Sequence, residues 1–147
     1  VAILGLSYKP FSHVTEESQG VFIAKHLSKH GIRVVAFDPM SSEMNLEEIR
    51  RDIVVLDSID ECLKHAEAVL ITTPDPVFKA LSADDFKNEW SQVLVFDFWR
   101  ILSEKLGGQQ HIKYVPTGIS EDDDANSSRL KSLWWGDNGN PLETSAK

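Results

Sequence analysis

The chain has 147 residues and carries 15 Lys and Arg against 23 Asp and Glu, a formal net charge of -8. This length gives one domain that needs no disulfide or structural metal to fold, and the acidic balance leads us to expect no nucleic acid partner. No apolar run approaches the ~20 residues of a membrane span, and a single cysteine excludes a disulfide framework, so we expect no membrane partner and a cytoplasmic location.

Short apolar runs alternate with helix-length amphipathic stretches from the first residue onward. The apolar runs are continuous, as in parallel strands that are buried on both faces of a sheet. The predicted strands are residues 1–6, 32–37, 53–56, 68–72, 93–96 and 112–115. The predicted helical stretches are residues 15–30, 45–51 and 58–65, followed by a fourth that holds Phe78, Leu81 and Phe86.

Capping signals mark the ends of two predicted helices. Thr15 is the expected N-cap of the first helix, where Glu16 and Glu17 complement the helix dipole, and Gly31 is its expected C-terminal stop. Ser58 is the expected N-cap of the helix over residues 58–65.

Strands that alternate with helices predict an α/β fold with a Rossmann-like, doubly wound and mostly parallel sheet. With about six strands, the expected order is 3-2-1-4-5-6 in a single domain over residues 1–119. From Glu121 the pattern ends in an acidic run followed by serines and glycines. Residues 120–147 are therefore predicted to be an acidic, poorly ordered tail, whose Trp134 and Trp135 dock on another surface.

The turn after the first strand is where a doubly wound sheet usually binds a nucleotide. A dinucleotide site there uses G-x-G-x-x-G, whereas this chain reads GLSYKP over residues 5–10. The carboxylates of Glu16 and Glu17 would also repel a phosphate at the start of the next helix. We therefore expect no NAD in this crevice and no cofactor-binding residue. Asp38 is interpreted as a strand end and turn residue, with a ribose-binding acid as the alternative.

Several motifs together resemble the UDP-glucose/GDP-mannose dehydrogenase family of nucleotide-sugar 6-dehydrogenases. They are the glycine and Tyr-Lys-Pro of residues 5–10, Glu17-Ser18, Phe37-Asp38-Pro39 and the VFDFWR string of residues 95–100. The resemblance covers residues 1–119 and is to the C-terminal, UDP-binding domain of these enzymes. It implies NAD-dependent oxidation of the C6 alcohol of a UDP-sugar to a carboxylate in two hydride transfers.

The resemblance also implies which residues contact the nucleotide-sugar substrate. Lys9 matches the family's substrate-contacting lysine and Tyr8 the aromatic residue before it, with a solvated turn lysine as the alternative for Lys9. Where residues 98–100 depart from the family's motif, either Arg100 reaches a phosphate or Trp99 stacks on a base, with a core position as the alternative for Trp99. The predicted substrate-binding residues are therefore Tyr8, Lys9, Trp99 and Arg100.

The family's catalytic cysteine and NAD-binding domain lie upstream of the part that this chain resembles. We therefore expect no catalytic residue here, and a fragment that is inactive alone while its NAD is bound by an absent N-terminal domain. The full-length enzyme is expected to be a homo-oligomer. Val1, which falls inside a strand, is interpreted as a cut at a domain boundary. Cys62 is interpreted as a buried structural thiol.

Departures from the family pattern bear on the substrate. His13 and Glu16 fall in the family's Asp-Asp-x-Arg, so a glutamate replaces the arginine that helps to hold the cofactor. Phe98 and Trp99 stand where Gly-Arg is usual, with Arg100 one place later. These differences fit a divergent nucleotide-sugar dehydrogenase.

A different class of function is also compatible with the sequence. The alternative is a non-catalytic, Rossmann-like binding or assembly module that docks through its tryptophans.

His26 and His30 lie four residues apart on one helix, but no third ligand accompanies them, so no metal site is predicted.

Overall fold

Residues 1–118 are the part of the chain that the structure, a computed structural model, describes. They contain a six-stranded sheet in which every neighbouring pair is parallel and the order is 3-2-1-4-5-6. This confirms the predicted Rossmann-like, doubly wound α/β fold. The predicted tail over residues 120–147, with Trp134 and Trp135, lies outside the described residues.

Helices and strands alternate along the described residues, as parallel crossovers require. The strands are β1 (Ala2–Leu4), β2 (Val35–Phe37), β3 (Val54–Val55), β4 (Ala68–Ile71), β5 (Val93–Asp97) and β6 (Ile112–Pro116). The α-helices are α1 (Gln19–Lys29), α2 (Ile59–Leu63), α3 (Pro76–Lys79) and α4 (Ser103–Leu106). Short 3-10 helices lie at Ser41–Glu43, Ile49–Arg51 and Ala83–Phe86.

The first helix begins at Gln19, and the prediction of Thr15 as its N-cap is wrong. Glu17 has a left-handed backbone with a φ of 58°, which a right-handed helix cannot include. Ser18 caps the helix instead, because its Oγ accepts a hydrogen bond from the Val21 amide at 3.3 Å. The loop between β1 and α1 is therefore longer than predicted.

The predicted stop of α1 at Gly31 is confirmed. Gly31 has a φ of 78°, and its amide donates to the Ser28 carbonyl at 2.9 Å while the Ile32 amide donates to the Leu27 carbonyl at 3.2 Å. This pair of bonds is the Schellman motif. Because Ile32 is bonded back to the helix, β2 begins only at Val35.

Side chains of the strands alternate between two apolar layers, as the period of a β-strand requires. In β1, Ala2 and Leu4 face one layer and Ile3 faces the other. The first layer is covered by α2, α3 and α4, and the second by α1 and residues 44–49. Large side chains that are fully buried in the first layer are Phe78, Phe86, Leu102 and Leu106.

Two shorter elements differ from the prediction. Within residues 45–51 only Ile49–Arg51 is helical, as one 3-10 turn. The segment is anchored by the buried side chains of Leu46 and Ile49. Helix α4 was not predicted, because four residues are too few to show a helical period. By contrast, Ser58 caps α2 as predicted.

Candidate functional site

The sheet order reverses between β1 and β4, so the loops that leave these two strands diverge. In open α/β sheets this divergence forms a crevice outside the carboxyl ends of the strands, where ligands bind. Strand β5 ends beside β4 at the same edge. Three loops therefore border the candidate site: residues 5–18 after β1, residues 72–75 after β4 and residues 98–102 after β5.

Gly5 allows the loop after β1 to pass close to the end of β4. Its φ is +112°, and a Cβ at this position would overlap the hydroxyl of Thr73 and lie 3.0 Å from the Thr73 amide nitrogen. The neighbouring Thr72 hydroxyl lies 3.0 Å from the Leu4 carbonyl oxygen and 2.7 Å from that of Gly5. Both the backbone angle and the close packing therefore require glycine here.

Asp38 organises the loop after β1 from the end of β2. Its buried carboxylate accepts hydrogen bonds from the amides of Leu6 at 2.7 Å, Ser7 at 2.9 Å and Met40 at 2.8 Å. Because three backbone donors already occupy this carboxylate, it acts as a turn organiser. Since Asp38 is also only 1% exposed, this geometry favours the turn role over the alternative of a ribose-binding acid.

Asp97 organises the loop after β5 in the same way and is fully buried. Its carboxylate accepts hydrogen bonds from the Trp99 amide at 3.1 Å, the Leu102 amide at 2.9 Å and the Tyr114 hydroxyl at 2.9 Å. Burial, together with the adjacent Asp97 carboxylate, raises the pKa of Tyr114 above its usual value, so this hydroxyl remains a donor. The sequence motif contained Asp97 but did not reveal this role.

The four predicted substrate-binding residues all lie at the carboxyl edge of the sheet. Tyr8 is 60% exposed and Lys9 is exposed, both in the loop after β1. Trp99, 55% exposed, and Arg100 follow β5. The indole Nε1 of Trp99 donates to the Thr72 carbonyl oxygen at 2.9 Å, which ties the loop after β5 to the end of β4. A core position for Trp99 does not fit this exposure.

Backbone strain is concentrated at this edge. Within residues 1–118, the non-glycine residues with positive φ are Phe11 at 60°, Glu17 at 58° and Arg100 at 58°. The first two lie in the loop after β1 and the third in the loop after β5. Left-handed conformations of such residues are costly and cluster at ligand sites, which favours a functional role for these loops.

The two adjacent threonines after β4 differ in their hydrogen bonding. Among the described residues the buried Thr73 hydroxyl has no hydrogen-bond partner, whereas the Thr72 hydroxyl has two carbonyl acceptors. Thr73→Val is therefore expected to leave the free energy of unfolding unchanged or to raise it by up to about 1 kcal/mol. Thr72→Val is expected to lower it by about 1 kcal/mol. Urea denaturation of both variants checks this order, and a larger loss for Thr73→Val would contradict it.

The loop after β1 does not fit the pyrophosphate of a dinucleotide. Glu16 and Glu17 are exposed immediately before the N-cap of α1, where a phosphate would otherwise meet the helix amides. Gly20, on the first turn of α1, packs closely against the Gly5 carbonyl. His13 is exposed in the same loop. The two carboxylates therefore disfavour a dinucleotide phosphate at the start of α1.

A second, open cleft of about 990 Å³ lies between the start of α1 and residues 45–51. It shares Tyr8 and residues 15–18 with the loop after β1, and its charged groups are four carboxylates against the cations Lys25 and Arg51. The Arg51 guanidinium partly offsets these charges, since it pairs with Glu47 at 3.7 Å. The excess of carboxylates disfavours a phosphate in this cleft and favours the sheet edge as the candidate nucleotide site. The carboxylates of the cleft are Glu16, Glu17, Glu47 and Glu48.

Cys62 lies in α2 within the first apolar layer, as its interpretation as a structural thiol requires. Burial raises the pKa of its thiol to about 12, so the nucleophilic thiolate is scarce near neutral pH.

No cluster of three or more potential metal ligands occurs within residues 1–118. In the same part of the chain, no helix is both long and apolar enough to cross a membrane.

Comparisons with known proteins identify the family of the chain. The model of the UDP-glucose/GDP-mannose dehydrogenase family, UDP binding domain, matches residues 2–104. The chain is 34% identical over 107 residues to UDP-glucose 6-dehydrogenase AglM of Haloferax volcanii, a match that covers 73% of this chain and 24% of that protein. It is 28% identical over 109 residues to UDP-N-acetyl-D-mannosamine dehydrogenase of Methanococcus maripaludis, covering 72% and 24%.

A solved structure shows the same likeness. The UDP-N-acetyl-mannosamine dehydrogenase Cap5O from Staphylococcus aureus aligns with a TM-score of 0.59 and 25% identity over 78% of this chain and 25% of that chain. The fold and the family match define a Rossmann-like nucleotide-binding domain. The chain belongs to the UDP-glucose/GDP-mannose dehydrogenase family and corresponds to its C-terminal, UDP-binding domain. It spans about a quarter of the length of these relatives.

Proposed function

We propose that this chain binds the UDP part of a UDP-sugar within an NAD-dependent dehydrogenase that oxidises the sugar C6 alcohol to a carboxylate. The observation that carries the proposal is the position of Lys9, an exposed cation in the loop after β1, beside the point where the sheet order reverses. Ligands of open α/β sheets bind at this point. The shared part of the substrates named in the relatives, UDP-glucose and UDP-N-acetylmannosamine, is UDP.

The charges and shapes of four residues suit a nucleoside diphosphate. Lys9 and Arg100 supply positive charge in a chain that is acidic overall, and both are free to reach a phosphate from an exposed loop. Tyr8 and Trp99 supply exposed aromatic surface beside them. The proposed division is therefore phosphate contacts by Lys9 and Arg100, and apolar contacts by Tyr8 and Trp99.

The rest of the reaction is assigned to other parts of a longer enzyme. Cys62 is too deeply buried to act as the nucleophile, and the exposed carboxylates of Glu16 and Glu17 disfavour a dinucleotide in the loop after β1. We therefore propose that NAD and the catalytic cysteine are supplied by an N-terminal domain, and that the 147-residue chain is inactive alone. The full-length enzyme is proposed to be a cytoplasmic homo-oligomer.

Lys9→Ala is expected to raise the dissociation constant for UDP about tenfold, because a charge-assisted contact with a phosphate is lost. Isothermal titration of the 147-residue chain with UDP measures this change. Lys64→Ala is the matched control. Lys64 is an exposed lysine at the end of α2 and precedes β4, so it lies toward the amino edge of the sheet, away from the candidate site.

Two results would contradict the proposal. Equal effects of Lys9→Ala and Lys64→Ala on the dissociation constant would mean that UDP binding depends only on the net charge of the chain. An absence of UDP binding at millimolar concentration, together with self-association of the chain, would favour the assembly module instead.

A further inference from the structure

The indole of Trp99 is exposed and yet fixed in orientation. Its Nε1 donates to the Thr72 carbonyl oxygen at 2.9 Å, and its backbone amide donates to the buried Asp97 carboxylate at 3.1 Å. Despite these two anchors, 55% of the residue is exposed. A large apolar ring is thus presented to solvent with little freedom left to lose on binding.

Trp90 offers a comparison within the same domain. It is 42% exposed, and its Nε1 also donates to a backbone carbonyl, that of His65, at 3.3 Å. Trp90 precedes β5, at the amino edge of the sheet, whereas Trp99 follows β5 at the carboxyl edge. The two tryptophans share exposure and anchoring, but only Trp99 lies where parallel sheets bind ligands.

The surroundings of Trp99 distinguish it further. Arg100 is the next residue, exposed and held in a left-handed conformation with a φ of 58°. Thr72, which anchors the indole, directly follows β4, the strand that borders the crevice. An aromatic face beside a cation is the combination that binds a flat base attached to a phosphate group.

We infer that Trp99 is a stacking surface for the nucleobase of the bound nucleotide, and that the diphosphate lies toward Lys9 and Arg100. This inference rests on the proposed function and adds to it which residue contacts the base. It makes Trp99 a specificity residue for ligands that carry a base, whereas Lys9 serves any diphosphate. Stacking on an aromatic ring does not require hydrogen bonds to the base. The contact therefore favours ligands that carry a base but does not distinguish one base from another.

The test compares two ligands, UDP and inorganic pyrophosphate, by titration calorimetry on the 147-residue chain. Trp99→Ala is expected to raise the dissociation constant for UDP about tenfold and to leave that for pyrophosphate unchanged. Lys9→Ala is expected to weaken both ligands. Trp99→Phe keeps an aromatic face but loses the Nε1 donor, so it should retain most of the UDP affinity. Trp90→Ala is the matched control and should change neither.

The outcomes separate this inference from the function on which it rests. The stacking role is overturned if Trp99→Ala does not weaken UDP binding. It is also overturned if Trp99→Ala weakens the binding of UDP and of pyrophosphate equally. In both cases the proposed function still stands. A loss seen with UDP-glucose but not with UDP would assign the indole to the sugar and also overturn it. If the wild-type chain binds neither UDP nor pyrophosphate, the proposed function fails and the inference fails with it.

Discussion

Replacing Asp97 by alanine is expected to lower the free energy of unfolding by about 3 kcal/mol, because one buried and two partly buried donors lose their shared acceptor at once. The donors are the amides of Trp99 and Leu102 and the hydroxyl of Tyr114, all within 3.1 Å of the carboxylate. Asp97 itself is fully buried, so water does not readily replace the lost oxygens. Urea denaturation of the variant measures the loss.

Two further variants separate the causes. Asp97→Asn keeps the shape of the side chain but turns one acceptor into a donor that faces other donors, so an intermediate loss is expected. Asp57→Ala, at an exposed aspartate, is the matched control and should change stability little. A loss below about 1 kcal/mol in Asp97→Ala would mean that these hydrogen bonds do not hold the loop together.

Gly20→Ala is expected to destabilise the domain by about 3 kcal/mol, although alanine is the better helix former. Gly20 is buried on the first turn of α1, and a Cβ there would overlap the carbonyl oxygen of Gly5 and lie 2.8 Å from the Thr72 hydroxyl. Neither the backbone of Gly5 nor the bonded Thr72 can move away without disturbing the end of β4. The overlap therefore outweighs the gain in helix propensity.

Gly31→Ala provides the comparison for this prediction. Gly31 has a φ of +78°, and no atom lies within 4 Å of the place where its Cβ would stand. Its loss of about 1 kcal/mol would arise from backbone strain alone. Urea unfolding of both variants should give Gly20→Ala a much lower free energy of unfolding than Gly31→Ala. The reverse order would show that the stability of α1 does not depend on the close contact between Gly20 and Gly5.

The order of the strands could be predicted because it follows from patterns that are local in the sequence. The continuous apolar runs identify buried parallel strands, and the helices between them leave few topologies. Gly31 could be identified as a helix stop because its effect is confined to the residues beside it. The positions of Lys9 and Trp99 at the carboxyl edge follow from the same strand assignment.

The features that the sequence did not predict depend on contacts between distant residues. The start of α1 was misplaced because the left-handed conformation of Glu17 has no signal in residue type. The acceptor role of Asp97 depends on Tyr114 in the next strand, and the unpaired hydroxyl of Thr73 depends on the approach of Gly5. Such packing is set by the whole fold, so no local pattern could indicate it.

The central claim is that a nucleoside diphosphate binds at the carboxyl edge of the sheet. It is tested most directly by amide chemical shifts of the isotopically labelled 147-residue chain during a titration with UDP. We expect the largest changes in the three loops at this edge, residues 5–9, 72–75 and 98–100. An unchanged spectrum at millimolar UDP, or changes centred on the acidic cleft around residues 45–51, would contradict it.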